Sequence, residues 1–292
     1  MDAPDIFLEN RKDPISSEAP HINYGSFALD DGNYTIDEEE YADIIARDPD
    51  LKRFLPLFIG ANEMIKGKKR YCLWLKDATP KDIMEHAIIR EKVDKVREWR
   101  SKSDRKTTAE LADTPTMFAE IRQPDKRYLA IPTVCSGNRR ILPMQYYDSD
   151  VIASNQLYVV ENCSLYQFGV LTSNVHMAWM RVVAGRLKSD YRYSAGIVYN
   201  NFPWPTPTDD QRKAIEKAAQ QILDARALPK YSDCTLANFY DPNGFSAAPE
   251  LRKAHDELNR TVMRAYGFSI NDMSEEDCVA ELMKLYQAMT EK

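Results

Sequence analysis

Between residues 202 and 208 the chain reads Phe-Pro-Trp-Pro-Thr-Pro-Thr, and this stretch separates two kinds of sequence. Its prolines lack backbone donors and bar both a helix interior and a central strand. Thr208-Asp-Asp-Gln211 follows as a capping box: the Thr208 hydroxyl serves the first turn and the Gln211 side chain reaches back. Ile215, Ala218, Ala219, Ile222 and Leu223 then recur at helical spacing. Further helices are predicted over 249–266, ended by Gly267, and over 274–289, opened by Ser274 with Asp277 three residues on. No strand pattern survives past residue 207. Residues 206–292 are therefore expected to form an all-α domain.

Upstream, the patterning is mixed. Residues 1–35 carry little periodicity and read as an irregular lead-in. A short helix is expected over 37–46, with Asp37, Glu38, Glu39 and Glu40 favourable at its N-terminus. Residues 54–59 are apolar enough to be buried, and 70–75 read as a strand. A helix over 80–100 follows, opened by Pro80, with Ile89, Val93 and Val96 on one face. Residues 128–134 and 140–145 read as two strands joined as a hairpin with Gly137-Asn138 at its turn; Pro132 and Pro143 would put them at an edge or a bulge. A strand over 156–160 precedes one helix over 165–184, capped by Gly185. His176 and Trp179, one turn apart on that helix, are expected in the core. The fold class is α+β: a mixed α/β domain over 51–205, after an acidic lead-in over 1–50, followed by the helical domain.

Charge is divided the same way. The net charge of −6 resolves into −11 over residues 1–50, +9 over 51–205 and −4 over 206–292. A basic middle between acidic flanks suits a segment that meets nucleic acid within a larger protein, although Lys and Arg also populate ordinary solvated helix faces. Other classes find no support. No run approaches the eighteen apolar residues of a membrane span. The acidic start lacks the order of a signal peptide. Five scattered cysteines without a C-x-x-C pair fit reduced thiols in a cytoplasm, and four scattered histidines make no metal site. There is no P-loop, no H-E-x-x-H and no G-x-S-x-G. The glycine-rich turn and the Pro-Pro-aromatic loop of an adenine methyltransferase are also missing.

Three stretches resemble the C-terminal third of the type IIL restriction–modification proteins, the MmeI-like group. They are Phe58-Ile-Gly-Ala-Asn-Glu-Met-Ile-Lys-Gly-Lys-Lys-Arg-Tyr-Cys-Leu-Trp-Leu75, the run from Gly169-Val-Leu-Thr-Ser-Asn174 through Gly185-Arg-Leu-Lys-Ser-Asp-Tyr-Arg-Tyr-Ser194, and Ile197-Val-Tyr-Asn-Asn-Phe-Pro-Trp-Pro205 with Ala225-Arg-Ala227 and Pro249-Glu-Leu-Arg-Lys-Ala-His255. Asp2-Ala-Pro-Asp-Ile-Phe-Leu8 is similar to the segment that joins methyltransferase to recognition domain in such proteins. The resemblance implies a target recognition domain over 51–205 braced by the helical domain, reading double-stranded DNA for a site-specific adenine-N6 methyltransferase. It implies that the methyltransferase domain, with its S-adenosylmethionine site and in some members a fused nuclease, belongs to the same longer chain and joins through residues 1–50. The present chain alone is then expected to hold no cofactor or metal and to catalyse nothing. The alternative is a protein-docking module whose acidic flanks and amphipathic helices never touch DNA.

Within that frame Ser136, Asn138, Arg139 and Arg140 are candidates for base readout, because Arg pairs in bidentate fashion with guanine and Asn with adenine; outside it they read equally as a solvated turn. Arg186, Lys188 and Arg192, interleaved with Tyr191 and Tyr193, are candidates for phosphate contact, against a structural reading in which an arginine pairs with Asp190. Lys68, Lys69 and Arg70, in the densest basic run, are phosphate candidates or else a solvated loop. If about five phosphates are neutralised, log K for a random duplex should fall with log salt at a slope of about −4 to −5. A flat response, measured between low and moderate salt, would favour the docking alternative.

Overall fold

Ile89, Val93, Val96 and Arg100 share one face of the helix Ala87–Ser101, and that whole face is buried in the computed structural model, which describes residues 6–291. Most of the joining segment over residues 2–8 lies outside the described residues. The chain divides into two compact units. Met1–Asn23, Arg127–Tyr146 and Tyr158–Lys292 form the first; Tyr24–Lys126 and Tyr147–Leu157 form the second.

The second unit packs its helix over an aromatic core of Tyr34, Phe58, Trp74 and Phe118. Only short ladders run through it: Thr35–Ile36 antiparallel to Tyr71–Cys72, and Phe58–Ile59 parallel to Ile152–Ala153. The strand read over 70–75 is thus two residues long. The helix read over 80–100 is two helices, Pro80–Glu85 and Ala87–Ser101. Between them His86 is extended, and its buried ring holds Asp48 at 2.6 Å and meets the Phe54 ring edge-on. A tertiary contact, invisible to periodicity, breaks the helix there.

Arg100 does what few buried charges do. All its N–H groups are used: Nε donates to Leu29 O, Nη1 to Leu111 O and Thr114 O, Nη2 to Ala28 O and Met117 O, at 2.8–3.2 Å. Three of the acceptors also take a backbone N–H, Ala28 O from Ala119, Leu111 O from Thr114 and Thr114 O from Met117, so the guanidinium ties together segments that are already partly bonded.

A four-stranded sheet runs in the order Asn23–Tyr24, Leu157–Glu161, Tyr128–Pro132, Gln145–Tyr147, and its central strand Tyr128–Pro132 lies in the first unit. Tyr128–Pro132 is buried along its length and lies inside the sheet rather than at an edge, with Pro132 as its last residue. The helix read over 165–184 is also divided. Ser173 ends Leu165–Thr172 and caps Asn174–Val183, its Oγ accepting from the His176 N–H. Gly169 lets the first of these approach its neighbours: a Cβ there would sit 2.8 Å from Ile215 and 3.1 Å from Leu258. Those residues belong to Asp209–Arg226 and Pro249–Tyr266, which with Glu275–Thr290 make up the long helices after residue 207. Thr208 and Ser274 form the expected capping boxes, Gly267 is left-handed as a C-cap, and no strand follows residue 207 among the described residues.

Residues 9–20 have no regular structure but are firmly tied. Asn200 Nδ2 donates to Arg11 O and Lys12 O, Asn201 Nδ2 to Glu9 O, and Arg11 Nε to Asn201 Oδ1. Arg11 N and Ile15 N donate to Gly196 O and Asn200 O. A Cβ on Gly196 would collide with Asn10. Read as lead-in, this stretch is a strap on the first unit.

Arg100→Met would take the guanidinium donors away from this cluster of carbonyls and is expected to cost about 3–5 kcal/mol. Arg100→Lys, with three donors on a flexible stem, should recover less than half. The midpoint of urea unfolding measures both.

Candidate nucleic-acid interface

Alternation along Asp190–Arg192 places Tyr191 on one side of the strand and Asp190 and Arg192 on the other. The strand is the middle of a three-stranded antiparallel sheet, paired with Gly185–Leu187 and with Val134–Cys135. Tyr191 lies opposite Cys135 and Arg186; Arg192 lies opposite Val134 and Gly185. The side with Tyr191 and Cys135 is buried, and burial pushes the Cys135 thiol up to about 11, so it is no nucleophile. Arg186 covers Tyr191, its guanidinium 3.7 Å from the ring centroid, and its Nη1 donates to Ser189 O. Arg192 belongs to the opposite, open side, with Leu187, which is 54% exposed. The two arginines grouped by sequence therefore work on different faces.

The hairpin of this region is not the one the sequence suggested. Residues 128–132 and 145–147 are neighbours in the four-stranded sheet, but 140–144 form no strand, and Val134–Cys135 turns away to pair with Asp190–Arg192. The hairpin is Gly185–Leu187 with Asp190–Arg192, and its two-residue turn is Lys188-Ser189. Lys188 has φ +56°, a left-handed conformation that costs a non-glycine residue about 1 kcal/mol or more. Gly185 starts a strand and caps nothing; Ala184 ends the helix in an extended conformation.

Gly137-Asn138 does form a turn, closed by Arg139 N to Ser136 O at 3.1 Å. It lies against the hairpin's end. Gly137 N donates to Asp190 Oδ1, and a Cβ on Gly137 would be 2.6 Å from Ser189 O. Asp190, read as a partner for an arginine, holds a backbone amide instead. On the far side of the turn Arg181 Nη2 donates to Arg140 O. The structure thus brings Ser136, Asn138, Arg139 and Arg140 together with Arg186, Lys188 and Arg192. Asn138, Arg140, Lys188 and Arg192 are exposed, and the Arg139 and Arg140 side chains form no ion pair among the described residues.

Lys68, Lys69 and Arg70 belong to the other unit. Arg70 lies over the Phe58 ring and pairs with Glu63 at 2.9 Å, and Glu63 in turn accepts from Gly60 N. Lys69 pairs with Glu38 at 3.3 Å. Lys68 is exposed and has no ion pair among the described residues. Arg70 is thus engaged by Glu63 and the Phe58 ring rather than solvated. His176 is buried, as expected: Nε2 meets the Tyr193 hydroxyl at 3.0 Å, and burial lowers its pKa to about 3, so it stays neutral. Arg181 and Glu275 were missed in the sequence, since their connection to the turn runs through the Arg140 carbonyl, which any residue there would supply. No group of residues suited to a metal ion occurs among the described residues.

The sequence model of the MmeI target recognition domain matches residues 2–206, and that of the MmeI C-terminal domain matches residues 207–292. The chain belongs to this family. DNA methyltransferase A of Bacillus subtilis (strain 168) is 38% identical over 291 residues, covering 100% of this chain and 32% of the relative. The type IIL restriction–modification enzyme MmeI, solved in complex with DNA, superposes with a TM-score of 0.94 at 40% identity, over 100% of this chain and 38% of that one. The chain thus spans about a third of the length of these relatives.

Gly137→Ala is expected to destabilise the first unit by about 1–3 kcal/mol, because its methyl meets a backbone oxygen that cannot swing aside. Lys188→Gly should be neutral or stabilising by up to about 1 kcal/mol, because it relieves the left-handed residue. Thermal denaturation of the two variants distinguishes them by sign.

Proposed function

We propose that this chain is the target-reading and bracing part of a longer adenine-N6 DNA methyltransferase of a restriction–modification system, working on double-stranded DNA in the cytoplasm. One observation carries the reading. In a chain of the MmeI family, the 136–140 turn and the 185–192 hairpin meet in one sheet and present Asn138, Arg140, Lys188 and Arg192 to solvent. The S-adenosylmethionine site would lie in the methyltransferase domain of the same longer chain, outside the matched recognition and C-terminal domains, with a nuclease only where the parent carries one.

Roles follow from reach. A two-residue hairpin tip and a tight turn are narrow enough to enter a major groove about 12 Å wide, where all four base pairs differ. Lys188 stands at that tip, where base edges are within reach as well as phosphate, and it joins Ser136, Asn138, Arg139 and Arg140 as a candidate for base readout. Arg192, set back along the open side of the strand, suits the phosphate rail, where contacts position without specifying. Arg186, stacked on Tyr191, supports the hairpin and reaches phosphate only with its remaining donors. Lys68 and Lys69 are the phosphate candidates left in the basic run, Arg70 serving its loop.

Removal of one bidentate base contact should cost about 1–3 kcal/mol at the correct site and little elsewhere. Arg139→Ala, Arg140→Ala and Lys188→Ala, each placed in the full-length protein, should alter the set of methylated sequences. Arg192→Ala should lower methylation of all sites alike. Sequencing methylated positions across a genome reads both outcomes. An unchanged sequence preference in all three of the first group would defeat the base-reading assignment.

A further inference from the structure

Two backbone anchors hold the 136–140 turn, one at each end. Gly137 N is held by Asp190 of the hairpin, and Arg140 O by Arg181 at the end of the helix Asn174–Val183. Between the anchors the Asn138, Arg139 and Arg140 side chains are left unpaired by salt bridges among the described residues. The second anchor is itself held. Arg181 Nη1 donates to Glu275 Oε2 at 2.6 Å, and Glu275 is the first residue of the helix Glu275–Thr290. That position is settled by local chemistry: Ser274 and Asp277 form a capping box, which fixes where the helix begins and hence where the Glu275 carboxylate starts from.

Arg181 therefore spends its two Nη groups on different domains of the family. One goes to the C-terminal domain, over 207–292; the other goes to the recognition domain, over 2–206. The planar guanidinium makes these two directions interdependent, because rotating one donor rotates the other. Arg181 is only partly exposed and Glu275 about half exposed. The pair lines a pocket of about 330 Å³ together with Arg140, Asn174, Phe245 and Asn259. Exposed ion pairs of this kind contribute little to global stability. Here the pair does something else, because its far end is a peptide carbonyl adjoining side chains that face solvent.

We infer that Glu275, acting through Arg181, is a positioning residue for sequence selectivity: the helical C-terminal domain sets the orientation of the 138–140 side chains. The inference rests on the reading that this turn meets bases. Its consequence is that selectivity belongs to both domains, and a recognition domain grafted onto a foreign C-terminal domain without a carboxylate at this position reads its site less sharply.

The test selects binding sites from a randomised duplex library with the purified chain and with its Glu275→Gln, Glu275→Asp, Arg181→Ala and Arg140→Ala variants, alongside their melting temperatures. Glu275→Gln should blunt the preference at the positions that Arg140→Ala also affects, by about threefold or more, while leaving melting and the total bound fraction near wild type. Glu275→Asp should restore part of it. Glu275→Gln with Arg181→Ala should be no worse than Arg181→Ala alone, since both cut one connection. A Glu275→Gln profile identical to wild type, or a uniform loss at all sequences, overturns the positioning role even where Arg140→Ala shifts the preference. An Arg140→Ala profile identical to wild type, or a wild-type chain that selects no motif, overturns the base-reading assignment and the positioning role with it.

Discussion

The short ladder between Val134–Cys135 and Asp190–Arg192 is the connection on which the candidate surface depends. It joins parts of the chain that are 53 residues apart at Gly137 and Asp190. Closing such a loop costs entropy that two paired residues cannot offset. The compensation lies underneath. Tyr191 and Cys135 are buried on the inner side, and Tyr193 continues the strand inward, its N–H on Thr133 O and its hydroxyl on His176. The ladder is thus the outer end of a packed core, which keeps its exposed tip in place without needing many hydrogen bonds of its own.

The same physics governs the irregular parts. Arg100 in one unit, and Asn200 with Asn201 in the other, donate to carbonyls of segments that belong to no helix or sheet. A buried carbonyl without a donor is expensive, whereas a side chain that satisfies several at once holds several stretches in place together. Much of this protein is loop between short elements, and these few side chains make the loops part of the structure. They also help a chain in which most strands have only two or three residues to bury its aromatics.

The three long helices after residue 207 were legible, because caps and apolar spacing are local signals, but the short helices Leu236–Tyr240 and Pro242–Ala247 were not. The mixed part was legible in content but not in pairing. Residues 80–100 and 165–184 carry unbroken helical spacing, yet His86 and Ser173 break them through contacts with Asp48 and with the following turn. For the candidate site, the residue types were in view from the start, but the pairing of Arg70 with Glu63 was not. The position of the hairpin was not in view. Gly137-Asn138 is a strong turn signal, but a turn does not say which strands it joins, and a left-handed Lys188 leaves no trace in the sequence.

What the sequence determined by itself was the α+β class, the caps of the long helices and the set of basic and aromatic residues available for contact. Each rests on interactions within a few residues, or on composition. What only the tertiary structure decided was pairing: which strand lies beside Asp190–Arg192, which carbonyls Arg100 and the two asparagines satisfy, and which side of the sheet each arginine takes. The reason is physical. A strand, an amide or a guanidinium carries the same hydrogen-bonding capacity wherever it stands, so its partner is chosen by which core closes beneath it, and that choice is made by the whole chain at once.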